Sequence, residues 1–213
     1  SNSPGYSTEA VAEHTISLLL NAIRKASESE KDIIKGLWNP VKFRGKELKG
    51  KTLGIIGYGS IGQRVAEIAK NGFGMKIIYV NSKTSSSDFE NLLKQSDFIT
   101  VNAPLTDKTR GMIGDKEFDL MKKNVVLVNT GRGATINEQS LIKNIESGKI
   151  FAIGLDVFPK EPINEKYILF KFPNVTITPH IGFNTEEAEY RLSEIVTNNI
   201  KKFIEGNPIN VIS

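Results

Sequence analysis

From residue 52 onward the chain alternates short apolar runs with amphipathic stretches. The apolar runs are TLGIIG (52–57), KIIYV (76–80), DFITVNAP (97–104), VVLVN (125–129), FAIGLDV (151–157) and NVTITPH (174–180). The stretches between most of them, at 61–71, 88–95, 115–122 and 137–147, carry helical periodicity. Asn137 can cap the last of these and Gly148 can end it. Nearly continuous apolar runs are strands covered on both faces, and their alternation with helices makes the sheet parallel. The expected fold class is α/β, a doubly wound parallel sheet. In such sheets ligands sit beyond the carboxyl ends of the strands, so the residues just after each run are the ones to inspect.

The two ends follow a different pattern. Residues 1–25 hold one long helix, with Val11, Thr15, Leu18, Leu19, Ala22 and Ile23 on a single apolar face. Ser7 or Thr8 can cap it, Glu9 and Glu13 suit its positive end, and Arg24 and Lys25 suit its last turn. His14 lies in this helix and is read as packing or surface. The polar stretch SESEKDIIKGLWNPVKFRGKELKG, broken by Gly and Pro, reads as a connector with Trp38 as its local anchor. A final helix over roughly 185–205 starts at Asn184-Thr185 and stops at Gly206.

Composition narrows the classes of function. At 213 residues and 39% hydrophobic content the chain can bury a sizeable core. It has no cysteine, so no disulfide, thiolate metal site or thiol nucleophile is available, and no metal is expected. The net charge of +4 comes from lysines spread along the chain, which reads as a solvated surface and not as a nucleic-acid footprint. No run reaches membrane-spanning length and no signal peptide opens the sequence, so the expected location is cytoplasmic.

The first strand runs into GYGSIG, with Gly57 for a tight turn, Gly59 for close approach of a pyrophosphate and Gly62 for close packing of helix on strand. A bare pattern of this kind also marks plain turns, but here it ends a strand and opens a helix, the context that dinucleotide binding needs. About twenty residues on, where an acidic side chain would hold the ribose hydroxyls of NAD, the chain has Asn81 followed by Ser82 and Lys83. Asn81 does not repel a 2′-phosphate, and Ser82 and Lys83 can donate to one. The cofactor is therefore NAD or NADP, with a lean toward NADP; the other reading is that Asn81 bonds the NAD ribose.

Three ionisable residues follow three later strands: Arg132 after VVLVNTG, Glu161 after GLDVFPK, and His180 after VTITP. A carboxylate beside a histidine favours and orients the imidazolium, which makes a general acid. An arginine nearby can hold a substrate carboxylate through its planar fork and polarise a carbonyl. Each residue alone also fits a turn, loop or helix-approach role; the case rests on all three standing at one sheet edge. Gly131 and Gly133 keep the backbone slim around Arg132, where it can lie against a nicotinamide ribose.

Taken in order, GKTLGIIGYGSIG, VNAPLTDKTRGMIG, VLVNTGRGATINEQSL, GLDVFPKEP and NVTITPHIGFNTEEA resemble the consecutive signatures of the D-isomer-specific 2-hydroxyacid dehydrogenase family, and VAEHTISLLL is similar to its interdomain helix. The resemblance implies a Rossmann-type domain over 1–182, with 1–25 as the interdomain helix. It also implies that 183–213 is a helix and tail returning to a second, smaller substrate domain, whose N-terminal part this chain does not contain. Arg132 would bind the substrate carboxylate and carbonyl, His180 would be the acid/base, and Glu161 its partner. Gly57, Gly59, Ser60, Ile61, Gly62, Asn81, Ala103, Pro104, Thr109, Thr130, Gly131, Arg132, Asp156, His180 and Gly182 would contact the cofactor, with Asp156 at the carboxamide. The implied reaction passes a hydride between NAD(P)H and a small 2-oxo or 2-hydroxy acid, such as glyoxylate or hydroxypyruvate, in a homodimer. The resemblance leaves two alternatives: a dinucleotide-responsive binding module of co-repressor type, or a D-3-phosphoglycerate dehydrogenase. Ending at NVIS without a regulatory domain weighs mildly against the latter.

Overall fold

The computed structural model describes residues 1–212. Six strands form one wholly parallel sheet: β1 (Thr52–Ile56), β2 (Lys76–Val80), β3 (Phe98–Val101), β4 (Val125–Asn129), β5 (Ile150–Leu155) and β6 (Val175–Ile177). Their order across the sheet is β2-β1-β3-β4-β5-β6. The chain moves outward from β1 to β2 and then returns to the other side of β1, so the topological switch point lies between β1 and β3. β3 and β4 are buried along their whole length, as their unbroken apolar sequence requires.

Among the described residues the helices are α1 (Thr8–Arg24), α2 (Ala26–Ile34), α3 (Ser60–Phe73), α4 (Ser86–Gln95), α5 (Asp115–Leu120), α6 (Glu138–Glu146) and α7 (Glu186–Ile204). They divide the core in two. On one face α1 and α3 pack Leu19, Ile23, Val65 and Ala69 against Leu53, Ile55, Val126 and Val128. On the other, α4, α5 and α6 pack Leu93, Phe118 and Leu141 against Ile99, Val101, Leu127 and Ile153. All six residues of the apolar face expected for α1 are buried.

The expected caps of α6 and α7 are present: Asn137 accepts from Ser140 N at 3.0 Å and Thr185 from Ala188 N at 3.1 Å. At the start of α1, Ser7 occupies the cap position without a side-chain bond. The strands are shorter than the apolar runs. β3 stops at Val101, β5 at Leu155 and β6 at Ile177, and the residues after them leave the ladder to form loops at the carboxyl edge.

The connector departs from expectation in two ways. It contains helix α2, whose nine residues are all solvent-accessible. A helix whose only large apolar residues, Ile33 and Ile34, are exposed at its end has no buried stripe to betray it. It forms because Lys25 turns the chain in the left-handed region (φ 56°), the Asn21 side chain bonds both Ser27 N (3.0 Å) and Ser27 Oγ (2.7 Å), and Lys42 reaches Asp32 at 2.7 Å. Trp38 is not a local anchor. It is 84% exposed, in a surface strip with Ile34, Leu37 and Val41.

Candidate active site

The glycine loop sits at the switch point, and its three glycines answer to different neighbours. A Cβ on Gly57 (φ 97°) would lie 2.5 Å from Ala103 N, and one on Gly62 would lie 2.2 Å from Gly57 O. Those two are glycine because backbone is already there. A Cβ on Gly59 would meet nothing within 4 Å. The space over Gly59 faces the first turn of α3 at Ser60, Ile61 and Gly62, which no side chain caps. An uncapped helix N-terminus facing open space at a switch point fits a pyrophosphate. Asn102 Oδ1, at the end of β3, is buried without a hydrogen-bond partner and adds an open acceptor on the same edge.

At the end of β2, Asn81 folds its own turn: its Oδ1 accepts from Lys83 N at 2.9 Å and from Thr84 Oγ1 at 3.3 Å. That leaves its side-chain amide N–H groups to face outward as donors. Beside it the Tyr79 ring stacks on Tyr58 of the glycine loop, with centroids 3.6 Å apart. After β3, Ala103 is wedged between Gly57 and Gly131, and Thr109 Oγ1 donates to Pro104 O at 2.7 Å, pinning that loop. Thr130 is buried and bonded to both Thr15 Oγ1 (2.8 Å) and Asn102 Nδ2 (3.1 Å).

Arg132 is exposed in extended backbone, with its guanidinium donating to Gly131 O at 2.7 Å. Its loop is held from beneath, where Asn129 Nδ2 and Thr135 Oγ1 both donate to Arg132 O (3.0 and 2.7 Å). The flanking glycines are explained by protein neighbours. A Cβ on Gly131 would be 2.8 Å from Ala103 O, and one on Gly133 only 2.0 Å from the Phe158 carbonyl carbon. The slim backbone thus serves first to let three strand-end loops pack together.

Phe158 links that loop to the next. Its N–H donates to Glu161 Oε1 at 2.8 Å, and Glu161 Oε2 meets His180 Nδ1 at 2.7 Å. With both carboxylate oxygens engaged, Glu161 fixes the ring, and the proton on Nδ1 belongs in that bond, which leaves Nε2 as the working nitrogen. The two side chains are 39% and 34% exposed, so the pair stands at the open edge. His180 itself has φ 54°, a left-handed conformation uncommon for a side-chain-bearing residue.

Asp156, by contrast, is 1% exposed and heavily used. Its Oδ1 accepts from Thr178 Oγ1 (2.6 Å) and Ile181 N (2.9 Å), and its Oδ2 from Gly182 N (2.8 Å). His14 Nε2 adds a contact at 3.2 Å to Oδ1. Burial penalises the charged carboxyl, but the bonds from His14, Thr178, Ile181 and Gly182 outweigh it and hold Asp156 below the ordinary aspartate range. His14 is the residue that sequence reasoning missed: its spacing along α1 shows an apolar face, not a partner 142 positions away in the chain.

The structure therefore joins His180 to Glu161 directly and Arg132 to them through Gly133 and Phe158, all on the edge that carries the glycine loop. Comparison with known proteins points the same way. A family described as D-isomer specific 2-hydroxyacid dehydrogenase, NAD binding domain, matches residues 16–182. A glyoxylate reductase from Thermococcus litoralis is 44% identical, with 100% of this chain and 69% of that protein covered. A hydroxypyruvate reductase from Thermotoga maritima is 43% identical over 90% of this chain and 65% of its own. Among solved structures, an acyclic imino acid reductase (Bsp5) in complex with NADPH and D-Arg superposes with a TM-score of 0.90 at 35% identity, covering 100% of this chain and 70% of that one. The chain thus spans about two thirds of the length of these relatives. It belongs to the D-isomer-specific 2-hydroxyacid dehydrogenase family of nicotinamide-dependent oxidoreductases, and carries that family's NAD-binding domain.

Proposed function

We propose that the protein reduces a small 2-oxo acid, glyoxylate or hydroxypyruvate, with His180 as the acid, Glu161 as its partner and Arg132 as the substrate anchor. The observation that carries this reading is the 2.7 Å bond between His180 Nδ1 and Glu161 Oε2, which leaves Nε2 facing an edge equipped for a dinucleotide. When bound, the reduced nicotinamide supplies the hydride to C2 of the oxo acid. His180, as the imidazolium, gives its Nε2 proton to the carbonyl oxygen as that oxygen gains the electron pair of the C=O double bond. Glu161 offsets the charge of the imidazolium and keeps the ring in place. Arg132 turns from Gly131 O to the substrate carboxylate and shares a donor with the carbonyl oxygen.

For the cofactor, Gly59, Ser60, Ile61 and Gly62 would take the pyrophosphate, and Ala103, Pro104 and Thr109 would line its side. Thr130, Gly131 and Arg132 would face the nicotinamide ribose, with Asp156, His180 and Gly182 beyond. The outward amide of Asn81, with Ser82 and Lys83, favours NADPH over NADH, since these groups can donate to a 2′-phosphate and none repels it. Residues 1–182 then form the dinucleotide domain and 183–213 the return to a substrate domain; Ser213, the last of that stretch, lies outside the described residues. The exposed surface around Trp38 suits the partner contact of a homodimer.

The test is oxidation of NADH and NADPH by the full-length protein, followed by absorbance, with glyoxylate, hydroxypyruvate, pyruvate and phosphohydroxypyruvate in turn. Turnover is expected with the first two and a lower Kd for NADPH. Dinucleotide binding without oxidation by any of the four would favour a binding module, and clearly tighter NADH binding would reverse the cofactor preference.

A further inference from the structure

We infer that His14, on the long helix α1, is a positioning residue that holds the His180 loop through Thr178 and Asp156; this rests on His180 being the acid. His14 is partly buried on α1, its side chain 17% exposed, next to the buried Thr15. Its Nε2 is 3.0 Å from Thr178 Oγ1 and 3.2 Å from Asp156 Oδ1. The Thr178 hydroxyl spends its only proton on Asp156 Oδ1, at 2.6 Å. A hydroxyl has one proton to give, so what Thr178 offers His14 is a lone pair, and Nε2 must be the donor. The ring therefore carries its proton on Nε2 and feeds both acceptors.

Asp156 passes this restraint on. It accepts the amides of Ile181 and Gly182, the two residues that follow His180. Those bonds fix the turn in which His180 takes its left-handed φ of 54°. The fit is tight as well as polar. A Cβ on Gly182 would lie 2.9 Å from Asp156 Oδ2 and 3.3 Å from His14 Cδ2, so ring, carboxylate and loop leave no slack. One unbroken chain of contacts thus runs from α1 to the backbone that aims the imidazole. Without the His14 N–H, the part-buried Thr178 hydroxyl loses its donor and the buried Asp156 Oδ1 keeps only Thr178 and Ile181, a cost that moving the loop would relieve.

The test uses the full-length protein with His14→Gln and His14→Met. The two replacements have nearly the same length and differ in that only Gln carries an N–H donor. Three quantities are read: kcat and KM for the oxo acid, Kd for the reduced dinucleotide, and the ring resonances of His180, assigned by comparison with His180→Gln. His14→Met is expected to lower kcat about 10-fold or more, as loss of a buried donor to a charged acceptor implies. The His180 resonances should move, with any change in dinucleotide Kd smaller than the change in kcat, while His14→Gln stays close to the parent in all three. Parent-like kcat and His180 resonances in His14→Met would overturn the inference. So would equal losses in both variants, which would make the ring a packing element. If His14→Met does not fold, Thr178→Val removes the relay hydroxyl and is read the same way. If the parent oxidises no dinucleotide with any oxo acid, the proposed reaction fails, and the His180 resonances in the Gln and Met variants still decide the positioning role.

Discussion

Arg132 rests its guanidinium on the carbonyl of its own neighbour, Gly131, at 2.7 Å, a bond that a substrate carboxylate would replace with a stronger, charge-assisted pair. The fork geometry is what a carboxylate and an adjacent carbonyl need, and lysine keeps the charge while losing the fork. Arg132→Lys should lower kcat/KM for the oxo acid by roughly 10- to 100-fold, the worth of a hydrogen bond to a charged group, with dinucleotide affinity nearly unchanged. Steady-state kinetics check this, and a parent-like kcat/KM would remove Arg132 from the substrate. Arg132, Glu161 and His180 were legible as candidates because each is an ionisable side chain in the segment that follows an apolar run. The reasons for Gly131, Gly133 and His14 were not. Each depends on an atom brought close by the fold, namely Ala103 O, the Phe158 carbonyl and Thr178 Oγ1.

At the scale of elements, strand ends do most of the positioning. Directly after β5 comes Asp156, whose carboxylate ties down the loop between β6 and α7. Because that carboxyl is held below the ordinary aspartate range, its folded form binds a proton less readily than its unfolded form. The linked stability is present above the unfolded pKa of about 4 and is lost as pH falls through the lower, folded value. Asp156→Asn keeps one acceptor oxygen and turns an N–H pair toward backbone donors. It should cost about 1–3 kcal/mol at pH 7, the penalty for buried polar groups left unsatisfied. The gap from the parent should shrink as pH drops below about 4, where the parent loses the same charge. Urea unfolding at the two pH values measures this, and a constant gap would mean that the carboxylate's charge plays no part. Strands and long helices were readable because burial imposes a period. α2 was not, because nothing on it is buried and what holds it is the Asn21–Ser27 contact and the Lys42–Asp32 pair.

At the scale of the whole molecule, the surface is divided between finished and unfinished faces. Both faces of the sheet are covered, yet α7 carries Val196, Ile200, Phe203 and Ile204 exposed at helical spacing. On the connector, Trp38 and Val41 are 84% and 73% exposed. Apolar strips of this kind mark contact surfaces. In the proposed arrangement a second copy would cover the connector and a substrate domain would lie beside α7. Trp38→Glu combined with Val41→Glu in the full-length protein should therefore halve the particle mass measured by light scattering. A double variant that keeps the parent's mass would place the dimer contact elsewhere.

In the proposed reaction a histidine held by a glutamate at a dinucleotide-binding edge delivers the proton in the reduction of a 2-oxo acid. The measurement that tests it most directly is His180→Ala in the full-length protein, with kcat for glyoxylate or hydroxypyruvate and the reduced-dinucleotide Kd determined on the same preparation. The kcat is expected to fall by about 100-fold or more, the usual contribution of a general acid, while Kd stays within about 2-fold of the parent. Parent-like turnover in this variant would contradict the proposed reaction.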